Sequence, residues 1–561
     1  MVVAEADSVA EVSEEPAAER LLARLHRWLN LAYWIVAAVA IALVTAQAYS
    51  SVLYNASLRY DEINVVVSII ERSYAQLHPP LDYLQSAPIG WLWLEKLGVD
   101  LFGNTEIVLR FPSVIATAGA LTLTAFLARR MLPPLGALLT ILFVATNYYV
   151  AYYAYDAKPY ALDMVCSVAL VLSALAARRR AMTFWIVATV TSFFSYPAVF
   201  CAAALALVLG VERLLRAGGW RPAIRAGLLF SAGAIPWLAM VAFVYVFSLR
   251  STAGNDFLYA YFARSFPGAG IGGRLGWLAT ALFTFGGTAL TPGAAWLASL
   301  VLVGAVVLVI RRRWDAALLI APVAIGFVLA GLRIYPMADR LSMYAVPVAA
   351  VLLFGFTDVP RAAVARLLRR QWSPWPVVAC LLALVLAAPA VWRVEGQVAG
   401  YYREQSADSL RTWTQTRQLF VYLKQQLRPG DVLLASPTDE VAFRYYGKRV
   451  GLPAPTSYVL LQEPGPACGG AEIRPLVAAA SRIWMITSFG NNVTPYARLE
   501  KVLGAFGPVA ASLHLAHGRL DAYRVVNRQG PDVRDPALAA ATRGLTCLKP
   551  MRPPFPFPPP R

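Results

Sequence analysis

The sequence predicts a polytopic α-helical membrane protein of about eleven transmembrane helices with a small C-terminal extracytoplasmic α/β domain. Three observations predict it. Hydrophobic residues make up 58% of the 561-residue chain. Apolar stretches of about 20 residues recur, long enough to cross a hydrocarbon core of roughly 30 Å. Arginine clusters fall after alternate stretches, as the positive-inside bias requires. The net charge of +18 is therefore read as a topology signal, which argues against nucleic acid as a partner.

Residues 1–27 read as a disordered acidic cytoplasmic tail. Six acids precede the first basic residue, Arg20, the wrong start for a secretory signal. The membrane region follows over 28–394. Spans are expected near 30–52, 108–128, 132–152, 159–177, 182–195, 198–212, 224–248, 290–310, 315–332, 341–357 and 374–393. Ser195-Tyr196-Pro197 must break one long apolar run into the fifth and sixth. Arg20, Arg24 and Arg27 precede the first span. Arg129-Arg130, Arg178–Arg180, Arg213, Arg216, Arg221, Arg225, Arg311–Arg313 and Arg361–Arg370 follow alternate later ones. This places the N-terminus in the cytoplasm and the C-terminal domain outside.

Two outer loops are long. Residues 53–107 hold two amphipathic stretches expected to lie along the membrane as short helices. Residues 249–289 are rich in glycine and aromatics. Over 395–549, helical patterns at 417–427 and 440–446 alternate with strand patterns at 431–435, 483–487 and 522–526, the signature of an α/β domain. Residues 550–561 form a Pro-rich tail. Cys166, Cys201 and Cys380 fall in apolar spans. Cys468 and Cys547, in the exported domain, are candidates for a disulfide.

The topology gathers polar residues at one face. Asp61-Glu62 opens a helix after the first span. Acids suit a helix N-terminus, and an acid beside apolar walls can also serve as a general base; the residues alone leave both readings open. His78-Pro79-Pro80-Leu81 reads as a rigid extended turn that aims an imidazole, although a lone histidine is more often structural. In Tyr155-Asp156-Ala157-Lys158-Pro159-Tyr160, Asp156 fits a cap and Lys158 a snorkelling cation. In the loop 333–340, which also holds Tyr335, Arg340 and with it Arg333 run against the positive-inside bias, which points to a ligand. No zinc spacing, P-loop, nucleophile elbow or dinucleotide fingerprint is present.

Together these pieces resemble the GT-C lipid-phosphosugar glycosyltransferases, in particular the protein O-mannosyltransferases and the lipid A aminoarabinose transferases. The resemblance rests on Asp61-Glu62, on His78-Pro79-Pro80-Leu81, on 101–106 through Arg110-Phe111-Pro112-Ser113, on 155–160, and on Tyr335-Pro336 with Arg340 and Pro347. It covers roughly 30–360 and is loose beyond. It departs at His78, where the aminoarabinose transferases carry lysine, and it lacks the Trp-Trp-Asp signature of oligosaccharyltransferases.

The resemblance implies an inverting transfer of one sugar from a polyprenyl-phosphate donor to a hydroxyl of a glycan, lipid or protein, at the outer face of a bacterial inner (plasma) membrane. Asp61 would be the general base, assisted by Glu62 and Asp156. Lys158, Arg340, His78 and Arg333 would hold the donor phosphate. Tyr335 and Tyr155 would contact substrate. No cofactor is required, but a divalent metal at Asp61, Glu62 and Asp156 is possible if they converge. The alternatives are a transporter or lipid-carrier flippase, against which stands the missing internal repeat, or a noncatalytic glycan-binding member of the same fold.

Overall fold

The computed structural model describes residues 17–358 and, of the remainder, 415–452, 458–461, 480–488, 500–527 and 548–550, with short breaks inside these ranges. Among the described residues, five helices are long and apolar enough to cross a membrane: Arg27–Leu53, Glu106–Met131, Tyr196–Arg216, Leu297–Gly331 and Asp339–Thr357. A sixth span is possible if Trp220–Ala232 and Ile235–Leu249, which meet at 44°, count as one. Three apolar helices are shorter: Pro134–Ala145, Tyr160–Ala176 and Ala181–Phe194.

The difference from the expected eleven has local causes. The stretch 132–152 divides at Asn147, whose side chain accepts from the Val150 N–H and starts a new helix, α6, Tyr148–Tyr153. The fifth and sixth spans do separate at Ser195, whose hydroxyl caps the Ala198 N–H. The expected spans 290–310 and 315–332 run through Leu297–Gly331, which leaves helical geometry at Arg312 (φ −146°, ψ 57°) inside the arginine cluster. The eleventh, 374–393, lies outside the described residues, as do the boundary at 394 and Cys468 and Cys547.

The helix α7 (Tyr160–Ala176) fixes the polarity of the bundle. Its length of 17 residues spans about 25 Å at 1.5 Å per residue. Asp156 and Lys158 stand just before its start. Just past its other end Arg178 pairs with Glu212 at 2.7 Å and Asp315 at 2.6 Å. Apolar packing among α7 and its neighbours, including Leu121, Leu170, Leu205, Leu319 and Tyr344, fills the distance between the two ionic groups.

Residues 53–107, read above as the first outer loop, contain two helices, α2 (Tyr60–Glu71) and α3 (Ile89–Phe102). The C-terminal region, among the described residues, forms a six-stranded mixed sheet: β1 Asp431–Ala435, β2 Tyr458–Leu461, β3 Arg482–Thr487, β4 Val509–Leu515, β5 Gly518–Arg524 and β6 Leu548–Pro550, in the order β4-β5-β3-β1-β2-β6. β1 runs parallel to both β2 and β3, and the remaining pairs are antiparallel.

The helix expected over 417–427 is Thr416–Gln426, and that over 440–446 starts earlier, at Pro437, and widens after Ala442. The strand expected at 522–526 begins instead at Gly518, which pairs with Leu515 of β4. Pro550, assigned above to the tail, ends a strand. One buried apolar cluster runs from Ile63, Val66 and Trp91 of the 53–107 segment into Phe420, Tyr446 and Trp484 of the C-terminal region. The two therefore share a core.

Candidate active site

Consecutive helix positions point about 100° apart, and this separates Asp61 from Glu62. Glu62 faces inward and is fully buried. Its carboxylate reaches back to accept the Arg59 N–H at 2.8 Å, closing the first turn of α2. It also accepts from Arg110 Nε at 2.8 Å and Nη2 at 2.6 Å, and from the Ala157 N–H at 3.1 Å. Arg110 also donates to the Ala56 and Ser57 carbonyls. Burial pushes the Glu62 carboxyl up, but Arg110 and Arg59 outweigh it and hold the group far below the usual range. Glu62 is thus an ionised strut that ties α2 to Glu106–Met131 (α4) and to the loop before α7.

Asp61 faces outward, with 37% of its side chain exposed. Arg340 Nη1 lies 3.1 Å from Oδ2 and Lys158 Nζ lies 3.5 Å from Oδ1. Burial raises its carboxyl, but Lys158 and Arg340 overcome that and keep it below the usual range. Lys158 also donates to Gln85 Oε1 at 3.0 Å. Desolvation lowers the Lys158 ammonium against the opposing pull of Asp61 and Asp156. Asp156 is buried against Arg59, 3.1 Å from Nη2. Burial and the neighbouring Glu62 carboxylate raise its carboxyl despite Arg59. Arg59 in turn lies 4.2 Å above the Tyr152 ring, a cation–π contact.

Backbone strain clusters around these cations. Tyr83 and Leu84 both sit at φ 56°, next to Gln85, and Asp339 sits at φ 40°, next to Arg340. Non-glycine residues rarely adopt such values, which cost of order 1–3 kcal/mol each and persist where the surroundings enforce them.

No protein-family model and no curated protein matches the chain. Solved structures do. One is ArnT from Cupriavidus metallidurans in the apo state, at 15% identity and a TM-score of 0.47, covering 89% of this chain and 99% of that one. The same protein bound to undecaprenyl phosphate matches at 16% and 0.46, with the same coverage. The archaeal oligosaccharyltransferase AglB from Archaeoglobus fulgidus, in complex with an inhibitory peptide and a dolichol-phosphate, matches at 13% and 0.43, covering 79% and 71%.

Of the residues singled out in the sequence, Asp61, Glu62, Asp156, Lys158 and Arg340 come together. The others stand elsewhere. His78 is exposed, in helical rather than extended backbone (φ −79°, ψ −29°), because the short turn Tyr74–Leu77 runs into it. Its ring meets Phe247 edge-on at 5.7 Å. Arg333 donates to the Pro267 carbonyl at 2.7 Å. Tyr335 packs against Phe200 and donates to the Leu341 carbonyl. Tyr155 is buried, 5.9 Å from Arg59. Among the described residues, no three His, Cys, Asp or Glu side chains are grouped to hold a metal ion. Both Glu62 oxygens are taken by Arg110 and backbone, so Asp61, Glu62 and Asp156 do not fit as a ligand set.

Sequence reasoning missed Arg59, Gln85 and the pairing of Arg110. A signal existed for the arginines: each stands at the edge of an apolar span on the face where basic residues are sparse.

Proposed function

We propose that the chain is an inverting glycosyltransferase that moves one sugar from a polyprenyl-phosphate donor to a hydroxyl acceptor at the outer membrane face, with Asp61 as general base. One observation carries the reading. Of three clustered acids, Asp61 alone is open to solvent, and it lies between two cations. The motif resemblance over 61–160 and at 335–347 supports it.

The chemistry follows from charge. The acceptor oxygen attacks the anomeric carbon as Asp61 takes its proton. The bond from that carbon to the phosphate oxygen breaks, and polyprenyl phosphate leaves with one more negative charge than the phosphodiester had. Lys158 and Arg340 match that added charge, stabilising the transition state more than the bound donor. Base and leaving group must lie on opposite faces of the sugar. Asp61 therefore cannot keep both its ion pairs while the same cations hold phosphate. The donor phosphate displaces the carboxylate from Lys158 and Arg340. Once released, Asp61 loses the contacts that depress its carboxyl and becomes a stronger base.

The test is sugar transfer from purified lipid-phosphosugars in detergent. Lys158→Ala and Arg340→Ala should each weaken donor binding roughly 10- to 100-fold, the loss of one charge-assisted contact, and lower turnover as well. Arg340→Lys should recover part, because the planar fork is lost. Arg225→Ala, on the opposite end of the bundle, should change neither. Wild-type kinetics in both Lys158→Ala and Arg340→Ala would overturn the assignment.

A further inference from the structure

The segment that delivers Asp61 has no regular structure between Leu53 and Tyr60, so its polar backbone groups need partners from elsewhere. Two sources supply them. From the membrane region, Arg110 donates to the Ala56 carbonyl at 2.8 Å and the Ser57 carbonyl at 3.1 Å. From the soluble region, Tyr446 Oη accepts the Leu58 N–H at 2.6 Å. The Arg417 N–H donates to Ser57 Oγ at 3.0 Å, and Arg417 Nη2 donates to the Asn55 carbonyl at 3.2 Å. Asn55 itself sits at φ 51°. Tyr446 and Leu58 are both buried, so no water replaces that bond.

The two sources are joined by α4. Its first residue, Glu106, is buried and pairs with Arg417 at 2.6 Å and with Arg449 at 3.5 Å. One turn on, Arg110 pairs with Glu62 at 2.6 Å. Two sets of ion pairs, one turn apart on α4, thus tie the soluble domain to the first turn of α2, where Asp61 sits.

We propose that Tyr446 and Arg417 of the soluble domain are positioning residues for the catalytic loop: they fix backbone 55–58 and so set where Asp61 stands relative to Lys158 and Arg340. The soluble domain is part of the active-site scaffold. This rests on the reading of Asp61 as the base. The cations that take the donor phosphate belong to other loops, so loosening 55–58 should change the rate of proton removal and leave phosphate capture intact.

The experiment uses the full chain in detergent. Tyr446→Phe removes only the acceptor of the Leu58 N–H, and Ser57→Ala breaks the latch from the opposite side should the first variant unfold. Tyr422→Phe, on the same domain beside Trp484, is the control. Hydrogen–deuterium exchange of peptides covering 55–61 should quicken about fivefold in each latch variant, the loss of one net hydrogen bond. Turnover of a lipid-phosphosugar should fall about tenfold with no rise in donor KM. Tyr422→Phe should match wild type in both.

Unchanged exchange in both latch variants overturns the proposal, whatever the turnover. So does faster exchange with wild-type turnover, or a rise in donor KM equal to the fall in kcat. A wild-type protein that transfers no sugar, with variants that still exchange faster, removes the transfer reading and leaves the latch standing.

Discussion

Asp61→Asn should tighten the binding of polyprenyl phosphate while stopping transfer. Both Asp61 oxygens are engaged, one by Arg340 at 3.1 Å and one by Lys158 at 3.5 Å. A phosphate that takes these cations must first part both pairs, and it then sits beside a carboxylate of like charge. Asparagine keeps the shape and removes the competition. Partly exposed ion pairs are worth up to about 1 kcal/mol each. With 37% of the Asp61 side chain open to solvent, the sum is about 1 kcal/mol, which corresponds to roughly three- to tenfold tighter binding. Titration calorimetry with polyprenyl phosphate on the solubilised protein reads this directly. The gain should shrink as salt rises, because exposed pairs are screened. Transfer should fall by ~10²–10⁴, the usual result of losing a general base. Equal or weaker binding by Asp61→Asn would refute the reasoning, because Asp61 would then not be holding the place of the phosphate.

Three further outcomes follow from the same geometry. Glu62→Gln should destabilise the fold by about 3–5 kcal/mol, because it strands a buried guanidinium; a wild-type unfolding midpoint would contradict this, and adding Arg110→Met should recover only part, since Ala56 and Ser57 also lose their donors. The Asp61 carboxyl is held below its usual range, so its ionised form persists and Asp61 should contribute no acid limb to kcat/KM between about pH 5 and 8. Arg340→Ala removes one depressing charge, which raises that carboxyl and brings the limb to higher pH; a limb that moves down would reverse the argued sign. Reporter fusions near 180, 220 and 312 should report cytoplasm, and those near 80, 265 and 450 the outer side; a cytoplasmic signal at 450 would separate the soluble domain from the site.

Much of the fold was legible because burial follows periodicity. The apolar runs gave the helices, the Ser195 break gave the boundary between Ala181–Phe194 and Tyr196–Arg216, and the apolar run at 431–435 gave the central strand β1. What stayed hidden depended on partners far along the chain. β4 is half exposed and pairs only with β5, so its pattern carries little burial. β6 is three residues long and ends in proline, a composition that reads as tail. Helix boundaries stayed hidden where a side-chain cap, as at Asn147, divides an apolar run that hydropathy alone leaves whole.

The site divides along the same line. Asp61, Glu62, Asp156, Lys158 and Arg340 could be gathered from sequence because topology alone puts them on one face. Their roles could not, because role depends on which way each side chain turns. Asp61 and Glu62 are neighbours of nearly equal chemistry, and no local pattern ranks one above the other. A rotation of about 100° along α2 sends Glu62 against Arg110, 48 residues away, and leaves Asp61 facing Lys158 and Arg340. The buried acid is then fully committed to four donors and cannot accept a proton without breaking the loop that carries its neighbour. The exposed acid has only two exchangeable counter-ions, and a phosphate can take both. Among the clustered acids, the proposed base is therefore the one whose partners a substrate would be able to replace.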